Sequence, residues 1–165
     1  MQPEPAVLAM LGDPAGRRIL YAGDRPERTA CVLAARGASV TALVGPGTRL
    51  DDVNVVPLRA GLADVHFQPV YDAVVVEGVF STTEDWEPAL RTAVQALRPD
   101  GRLVIVVDHP ALSGSDGYLA VYQAGGRIHR PLSTYLNAVV RAGCRIEEVA
   151  EPGALVVLAR RERKR

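Results

Sequence analysis

Uninterrupted apolar segments of strand length alternate along this chain with longer amphipathic segments. The apolar runs at residues 73–76 and 103–107 lack the alternation of a half-exposed strand, which is typical of parallel strands covered on both faces. The pattern predicts strands at residues 18–22, 39–44, 53–58, 72–76, 102–107, 145–149 and 154–159. It predicts helices at residues 27–36, 84–97 and 131–142, each followed by a turn that contains glycine. This order indicates an α/β protein with an open, doubly wound sheet.

Polar residues near the predicted strand ends are the candidates for chemistry, because sheets of this kind bind ligands at the carboxyl ends of their strands. Glu77 follows the fourth strand, His109 follows the fifth, and His129 precedes the last helix. A histidine close to a carboxylate can act as a general acid or base near neutral pH. The three residues are therefore candidate catalytic groups, and the alternative is that they are turn and surface residues.

Composition narrows the classes of protein. A chain of 165 residues with 48% hydrophobic residues is expected to form one domain, residues 1–165. The formal net charge is zero, which gives no indication of a nucleic-acid or membrane partner, and no apolar run is longer than a strand. Cys31 and Cys144 are expected to be reduced thiols, and the histidines lack metal-ligand spacing. We therefore expect a cytoplasmic protein without a metal site.

Four stretches, residues 12–20, 71–76, 96–103 and 129–143, have the form of recurring segments of one protein family. The most specific is residues 96–103, Ala-Leu-Arg-Pro-Asp-Gly-Arg-Leu, which is similar to that family's turn from a helix into the fifth strand. Through these stretches the chain resembles the class I S-adenosylmethionine-dependent methyltransferases of small molecules (methyltransferase type 11-like). The resemblance implies a three-layer αβα, Rossmann-like sheet in the order 3-2-1-4-5-7-6, mostly parallel with strand seven antiparallel.

The loop after the first predicted strand departs from the cofactor-binding pattern of that family. The family has an acidic residue in this strand and a loop of the GxGxG type, whereas this chain has Tyr21 and the loop Gly-Asp-Arg-Pro-Glu at residues 23–27. Gly23 and Asp24 are therefore the cofactor-binding positions that the resemblance assigns to this loop. The long side chains of Arg25 and Glu27 occupy space in which a bare backbone would approach the cofactor.

The ends of the second and third strands also differ from the family. Val44 stands where the family has a carboxylate that accepts hydrogen bonds from the ribose hydroxyls, and Asp64 is the nearest acidic candidate after the third strand. A hydrogen bond to a charged group contributes about 1.5–3 kcal/mol, so the loss at Val44 alone weakens binding roughly tenfold to a hundredfold. We therefore predict impaired S-adenosylmethionine binding, with this cofactor bound only if the cleft is still functional.

The segment before the first strand, residues 2–11, is predicted to be turn-rich, so the N-terminal lid helices of the family are expected to be largely missing. A missing lid leaves apolar surface that a partner covers, either a second copy of the chain or another enzyme subunit. Acceptor specificity is expected in residues 110–128, which include Tyr118 and Tyr122.

Three functions remain open at this point. The first is a non-methylating partner or scaffold subunit in a biosynthetic pathway for secondary metabolites. The second is an active S-adenosylmethionine-dependent methyltransferase of small molecules. The third is an enzyme of the methyltransferase fold with other chemistry, such as cyclisation.

Overall fold

The computed structural model describes residues 4–109, 122–124 and 126–163, which form a seven-stranded sheet with helices on both faces and a separate two-stranded sheet. The strands are β1 (Arg18–Gly23), β2 (Ser39–Leu43), β3 (Val55–Leu58), β4 (Tyr71–Glu77), β5 (Leu97–Asp108), β6 (Tyr122–Ala124), β7 (Arg127–His129), β8 (Cys144–Ala150) and β9 (Ala154–Arg161). The α-helices are α1 (Glu4–Leu11), α2 (Pro26–Ala35), α3 (Trp86–Ala96) and α4 (Leu132–Arg141).

The strand order of the large sheet is β3-β2-β1-β4-β5-β9-β8. Strands β1 to β5 pair in parallel, and β9 is antiparallel to both of its neighbours. This order is the one that the sequence predicted, with β9 as the antiparallel strand seven. The three-layer, doubly wound fold is therefore confirmed.

Both faces of the central strands are buried, which explains their uninterrupted apolar runs. On β4, Val74 and Val76 pack into the core that includes α3 and α4. Ala73 and Val75, which alternate with them, pack into the core that includes α1 and α2. The sheet is thus the central layer of the fold. The loops that follow the carboxyl ends of its strands are where a ligand site is expected.

The N-terminal segment differs from the prediction. Residues 4–11 form helix α1, whose Val7, Met10 and Leu11 are buried in the same core as α2. The Leu11 carbonyl accepts hydrogen bonds from Nη1 of Arg17 at 2.9 Å and Nη1 of Arg102 at 2.7 Å. Proline at residue 5 does not prevent the helix, because the first turn needs no backbone N–H partner. The prediction of a turn-rich segment is therefore wrong for these residues. That the chain forms one domain, and that the lid helices of the family are largely missing, remain predictions.

Of the segment expected to carry acceptor specificity, residues 110–121 lie outside the described residues, and Tyr118 with them. Strands β6 and β7, which follow that segment, were not predicted. None of the described helices combines the length and the apolar character that crossing a bilayer requires.

Candidate functional site

A cavity with a volume of about 460 Å³ lies at the carboxyl ends of β1 and β2, and we call it the β1–β2 cavity. Its wall includes three of the four residues that the sequence proposed for cofactor binding, Gly23, Val44 and Asp64. The fourth, Asp24, lines a different cavity. The chain folds these three positions together because parallel strands end at the same edge of a sheet.

Val44 and Asp64 give this cavity very different chemistry. Val44 is buried, its backbone N–H bonds to the Leu58 carbonyl at 2.9 Å, and its side chain offers no hydrogen-bond acceptor. Asp64 ends a short 3₁₀ turn, and its Oδ2 lies 2.5 Å from the position that a Cβ on Gly61 would take. The Asp64 carboxylate therefore occupies the space beside Gly61, where the cavity wall lacks a side chain.

A second cavity, of about 290 Å³, lies at the carboxyl ends of β4 and β5, and we call it the β4–β5 cavity. Its wall carries three acidic and three basic side chains: Asp24, Glu77 and Asp108, and Arg25, Arg28 and Arg127. Arg127 and Asp108 form an ion pair, in which Nη1 of Arg127 lies 2.9 Å from Oδ2 of Asp108. Consecutive residues line the two cavities at both the β1 and the β4 ends, so the cavities adjoin one another.

A buried polar cluster connects β1, β4 and α2 beneath these cavities. The Tyr21 hydroxyl donates a hydrogen bond to Oε2 of Glu77 at 3.0 Å, and the Thr29 hydroxyl donates to the same oxygen at 2.8 Å. All three side chains are buried. Burial, and next the negative charge of Glu77, raises the pKa of Tyr21 well above its ordinary value of 10.0. Tyr21 therefore acts as a protonated hydrogen-bond donor at the position where the family has an acidic residue. Neither its pairing with Glu77 nor the part played by Thr29 was predicted from the sequence.

Gly23 is required by this cluster. A Cβ added at Gly23 would lie 2.7 Å from Cζ of Tyr21 and 3.0 Å from the backbone oxygen of Glu77. The Tyr21 ring thus fills the space beside the one glycine that the loop retains. The paired register of Gly23 and Glu77 brings these residues together, which the linear sequence does not reveal.

The three candidate catalytic residues do not converge. Glu77 lines the β4–β5 cavity, whereas His109 and His129 line neither of the two cavities. Nε2 of His109 lies 2.9 Å from Oε1 of Glu151. His129 is buried in β7 beside Arg130. A shared acid–base site of Glu77 with either histidine is therefore not supported by their placement.

Metal and thiol chemistry receive no support from the described residues. Within them, no three His, Cys, Asp or Glu side chains are grouped so that they could hold a metal ion. Both cysteines are free thiols. Cys144 is buried, which raises its pKa to about 11, whereas Cys31 is only partly buried.

The Tyr21 cluster makes a prediction for alkaline pH. The pKa of Tyr21 is higher in the folded chain than in the unfolded one, so its stabilising contribution is complete below pH about 10 and is lost as pH rises further. The expected slope is about 1.4 kcal/mol per pH unit for one group. Between pH 9 and pH 11, Tyr21→Phe should therefore lose about 1 kcal/mol less stability than the wild type in urea unfolding. The control is Tyr71→Phe, a tyrosine of β4 outside the cluster; equal losses in all three proteins would contradict the prediction.

Comparisons with known proteins agree with the fold. A family model described as a methyltransferase domain matches residues 23–105, half of the chain. An S-adenosylmethionine-dependent methyltransferase from Mesorhizobium loti superposes with a TM-score of 0.83 at 25% identity, over 98% of both chains. No curated protein matches the chain.

Two further structures share the fold. The 1,6-didemethyltoxoflavin-N1-methyltransferase of Burkholderia thailandensis, solved with S-adenosylhomocysteine, has a TM-score of 0.77 at 21% identity, over 98% of this chain and 78% of its own. A putative methyltransferase solved with the Haloferax volcanii Trm112 methyltransferase activator has a TM-score of 0.77 at 15% identity, over 99% and 91%. The matched family model and the strand order show that the chain belongs to the methyltransferase domain family and has the class I fold of its small-molecule enzymes.

Proposed function

We propose that this chain is a cytoplasmic methyltransferase-family protein that binds S-adenosylmethionine weakly and acts as a non-methylating subunit in the biosynthesis of a small molecule. Val44 carries the proposal. Its hydrocarbon side chain lines the β1–β2 cavity at the end of β2, where the resemblance implies a carboxylate for the ribose. Without that acceptor, the ribose hydroxyls lose a charged hydrogen bond, which is about 1.5–3 kcal/mol of binding free energy.

The β1–β2 cavity fits the cofactor in size but only partly in chemistry. Its volume of about 460 Å³ lies within the range of small-molecule sites, roughly 300–1,000 Å³. Gly23 and Gly61 line it, but the Tyr21 ring and the Asp64 carboxylate fill the space beside them, and Asp64 supplies one carboxylate. These residues would hold the adenosyl group, and bound S-adenosylmethionine would supply an electrophilic methyl group. We therefore expect entry of the cofactor with reduced affinity.

A partner subunit is part of the proposal. The Haloferax volcanii structure is a complex of a methyltransferase activator with a putative methyltransferase whose fold this chain shares, so subunits of this fold do assemble with other proteins. The partner of this chain would be either a second copy of it or another enzyme subunit. Light scattering of the purified chain tests the first case, because a monomer at micromolar concentration contradicts a homodimer.

An active methyltransferase is the second candidate. It is favoured by the Mesorhizobium loti S-adenosylmethionine-dependent methyltransferase, which has nearly the same length as this chain. The compact size of the chain therefore does not argue against catalysis. The two candidates differ in how tightly the cofactor should bind.

Calorimetric titration with S-adenosylmethionine and S-adenosylhomocysteine separates them. We expect Val44→Asp to bind both ligands about tenfold to a hundredfold more tightly than the wild type, because it restores a charged acceptor for the ribose. The control Val44→Asn has nearly the same shape without the charge and should gain less. Tight binding by the wild type would favour the active enzyme. No gain in Val44→Asp, with its thermal unfolding midpoint retained, would contradict the role assigned to Val44.

A further inference from the structure

Three arginines lie side by side on neighbouring strands, away from the two cavities. Arg102 on β5 pairs in register with Arg160 on β9, and Arg160 pairs in turn with Arg145 on β8. Arg102 also pairs with Ala73, near the start of β4, which is part of the core that includes α1 and α2. Because register partners point to the same face of a sheet, the three arginine side chains project from the face that carries α1.

The row has more positive charge than its own contacts neutralise. Glu147 on β8 accepts hydrogen bonds from Nε and Nη2 of Arg160, at 2.6 and 3.1 Å, and from Nη2 of Arg145 at 3.3 Å. Arg102 donates to an uncharged group, the Leu11 carbonyl, at 2.7 Å. Among the described residues, three guanidinium groups thus share one carboxylate. Like charges directly opposite one another on antiparallel strands destabilise a sheet, so the stability of the sheet does not explain the row.

Two further arginines extend the row. Arg17 donates to the same carbonyl as Arg102, at 2.9 Å. Arg163 forms an ion pair with Asp100 at 2.5 Å, and Nη1 of Arg160 donates to the Asp100 carbonyl at 3.4 Å. We call these five residues the arginine patch: Arg17, Arg102, Arg145, Arg160 and Arg163.

The charges of the arginine patch do not balance. In the described part of the chain, two carboxylates contact it, those of Asp100 and Glu147. Asp13 in the loop before β1 and Glu148 on β8 form no ion pair with it there. The patch therefore retains an excess of positive charge in a chain whose formal net charge is zero. Such a local excess attracts a partner of the opposite charge.

The outer arginines of the patch are accessible. The side chains of Arg145 and Arg163 are 67% and 77% exposed. A guanidinium has five N–H donors, and within the described residues each of these two bonds to a single carboxylate, so donors remain for a carboxylate from outside. Arg160 shows the geometry that such a contact takes, because its Nε and Nη2 bond to the two oxygens of Glu147.

We propose that the arginine patch binds an acidic segment of a partner polypeptide, whose carboxylates pair with Arg145 and Arg163. This identifies the partner subunit of the function proposed above by its charge, and it rests on that function only for the existence of such a subunit. A nucleic acid is disfavoured, because the sequence pI is about 6.8, whereas nucleic-acid-binding domains typically have a pI above about 9. A partner held at this face leaves the carboxyl ends of the strands, and so both cavities, uncovered.

Fluorescence anisotropy with a labelled oligoglutamate peptide tests the proposal, and a labelled oligouridylate RNA is the second probe. The test variant is the double substitution Arg145→Gln with Arg163→Gln in the full chain. Arg49→Gln with Arg91→Gln is the matched control, because both of these arginines are exposed, lie outside the patch and remove the same charge. The thermal unfolding midpoint of each variant and its titration with S-adenosylhomocysteine are measured alongside.

We expect the wild type to bind oligoglutamate with an affinity that falls as salt is added. The test variant should bind at least about fivefold more weakly, because two surface ion pairs are lost, and the control should stay within about twofold of the wild type. No wild-type binding at low ionic strength, an equal loss in both variants, or tighter binding of the RNA than of the peptide would each overturn the proposal.

Two measurements keep this result separate from other causes. Binding of S-adenosylhomocysteine should be the same in all three proteins, so failure of the arginine patch leaves the function proposed for the cleft to its own titration. Should the double variant unfold, Arg145→Gln alone decides, with Arg49→Gln as its control.

Discussion

Arg130→Ala is expected to lower the free energy of unfolding by about 3 kcal/mol or more. The Arg130 side chain is buried, and its Nη1 donates to the Phe80 carbonyl at 2.7 Å while its Nη2 donates to the Thr83 carbonyl at 2.8 Å. Its guanidinium also lies 5.5 Å from the centre of the Trp86 ring. Truncation to alanine removes the donor from the buried Phe80 carbonyl and from the partly buried Thr83 carbonyl, and it opens a cavity beside Trp86.

Thermal and urea unfolding measure this effect. For a chain of this size, a loss of about 3 kcal/mol corresponds to a fall of roughly 6–12 °C in the unfolding midpoint. Arg130→Lys should recover only part of it, because an ammonium lacks the planar fork that reaches two carbonyls. Arg91→Ala, an exposed arginine on α3, is the control and should change stability by about 0.5 kcal/mol or less. A loss below about 1 kcal/mol for Arg130→Ala would show that the segment after β4 does not depend on Arg130.

The strands of the large sheet could be predicted because strands buried on both faces have uninterrupted apolar sequences. Strand β4 is covered on both faces, so residues 73–76 are all apolar, and the same holds for residues 103–107 of β5. Helix α1 and strands β6 and β7 were not predicted. They are short, so their periodic pattern has too few repeats to be read, and α1 owes its helix to packing against the sheet.

The candidate site could be predicted only as far as the strand ends determine it. Gly23, Val44 and Asp64 were assigned from the family resemblance and from their positions after predicted strands, and the structure puts all three in the wall of one cavity. Asp24 and Glu77 lie in the adjoining cavity, because the direction of a side chain after a strand depends on the local backbone. The pairing of Tyr21 with Glu77 joins residues 56 positions apart, through a register that no local pattern encodes.

Gly23→Ala is expected to destabilise the chain by about 2–3 kcal/mol, because it overpacks the space between the Tyr21 ring and the Glu77 backbone. The new methyl group would lie 2.7 Å from Cζ of Tyr21, and its contact with the backbone oxygen of Glu77, at 3.0 Å, cannot be relieved by a side-chain rotation. The φ angle of Gly23 is not in the left-handed region, so the cost is steric contact rather than backbone strain. Urea unfolding gives the loss. Gly45→Ala, where the nearest atom is 3.8 Å away, is the control and should cost much less.

A double-mutant cycle with Tyr21→Ala separates two reasons for this glycine. If Gly23 is required by the Tyr21 ring, removal of the ring makes room, and Gly23→Ala should cost at least about 1 kcal/mol less in the Tyr21→Ala background than in the wild type. If Gly23 instead serves only the close approach of a ligand, its substitution should weaken S-adenosylhomocysteine binding and leave the two unfolding costs equal. Equal costs in both backgrounds would contradict the packing account of Gly23. A large coupling means that the glycine pattern of this loop depends first on the Tyr21–Glu77 cluster, so that a sequence comparison alone misjudges what the loop retains.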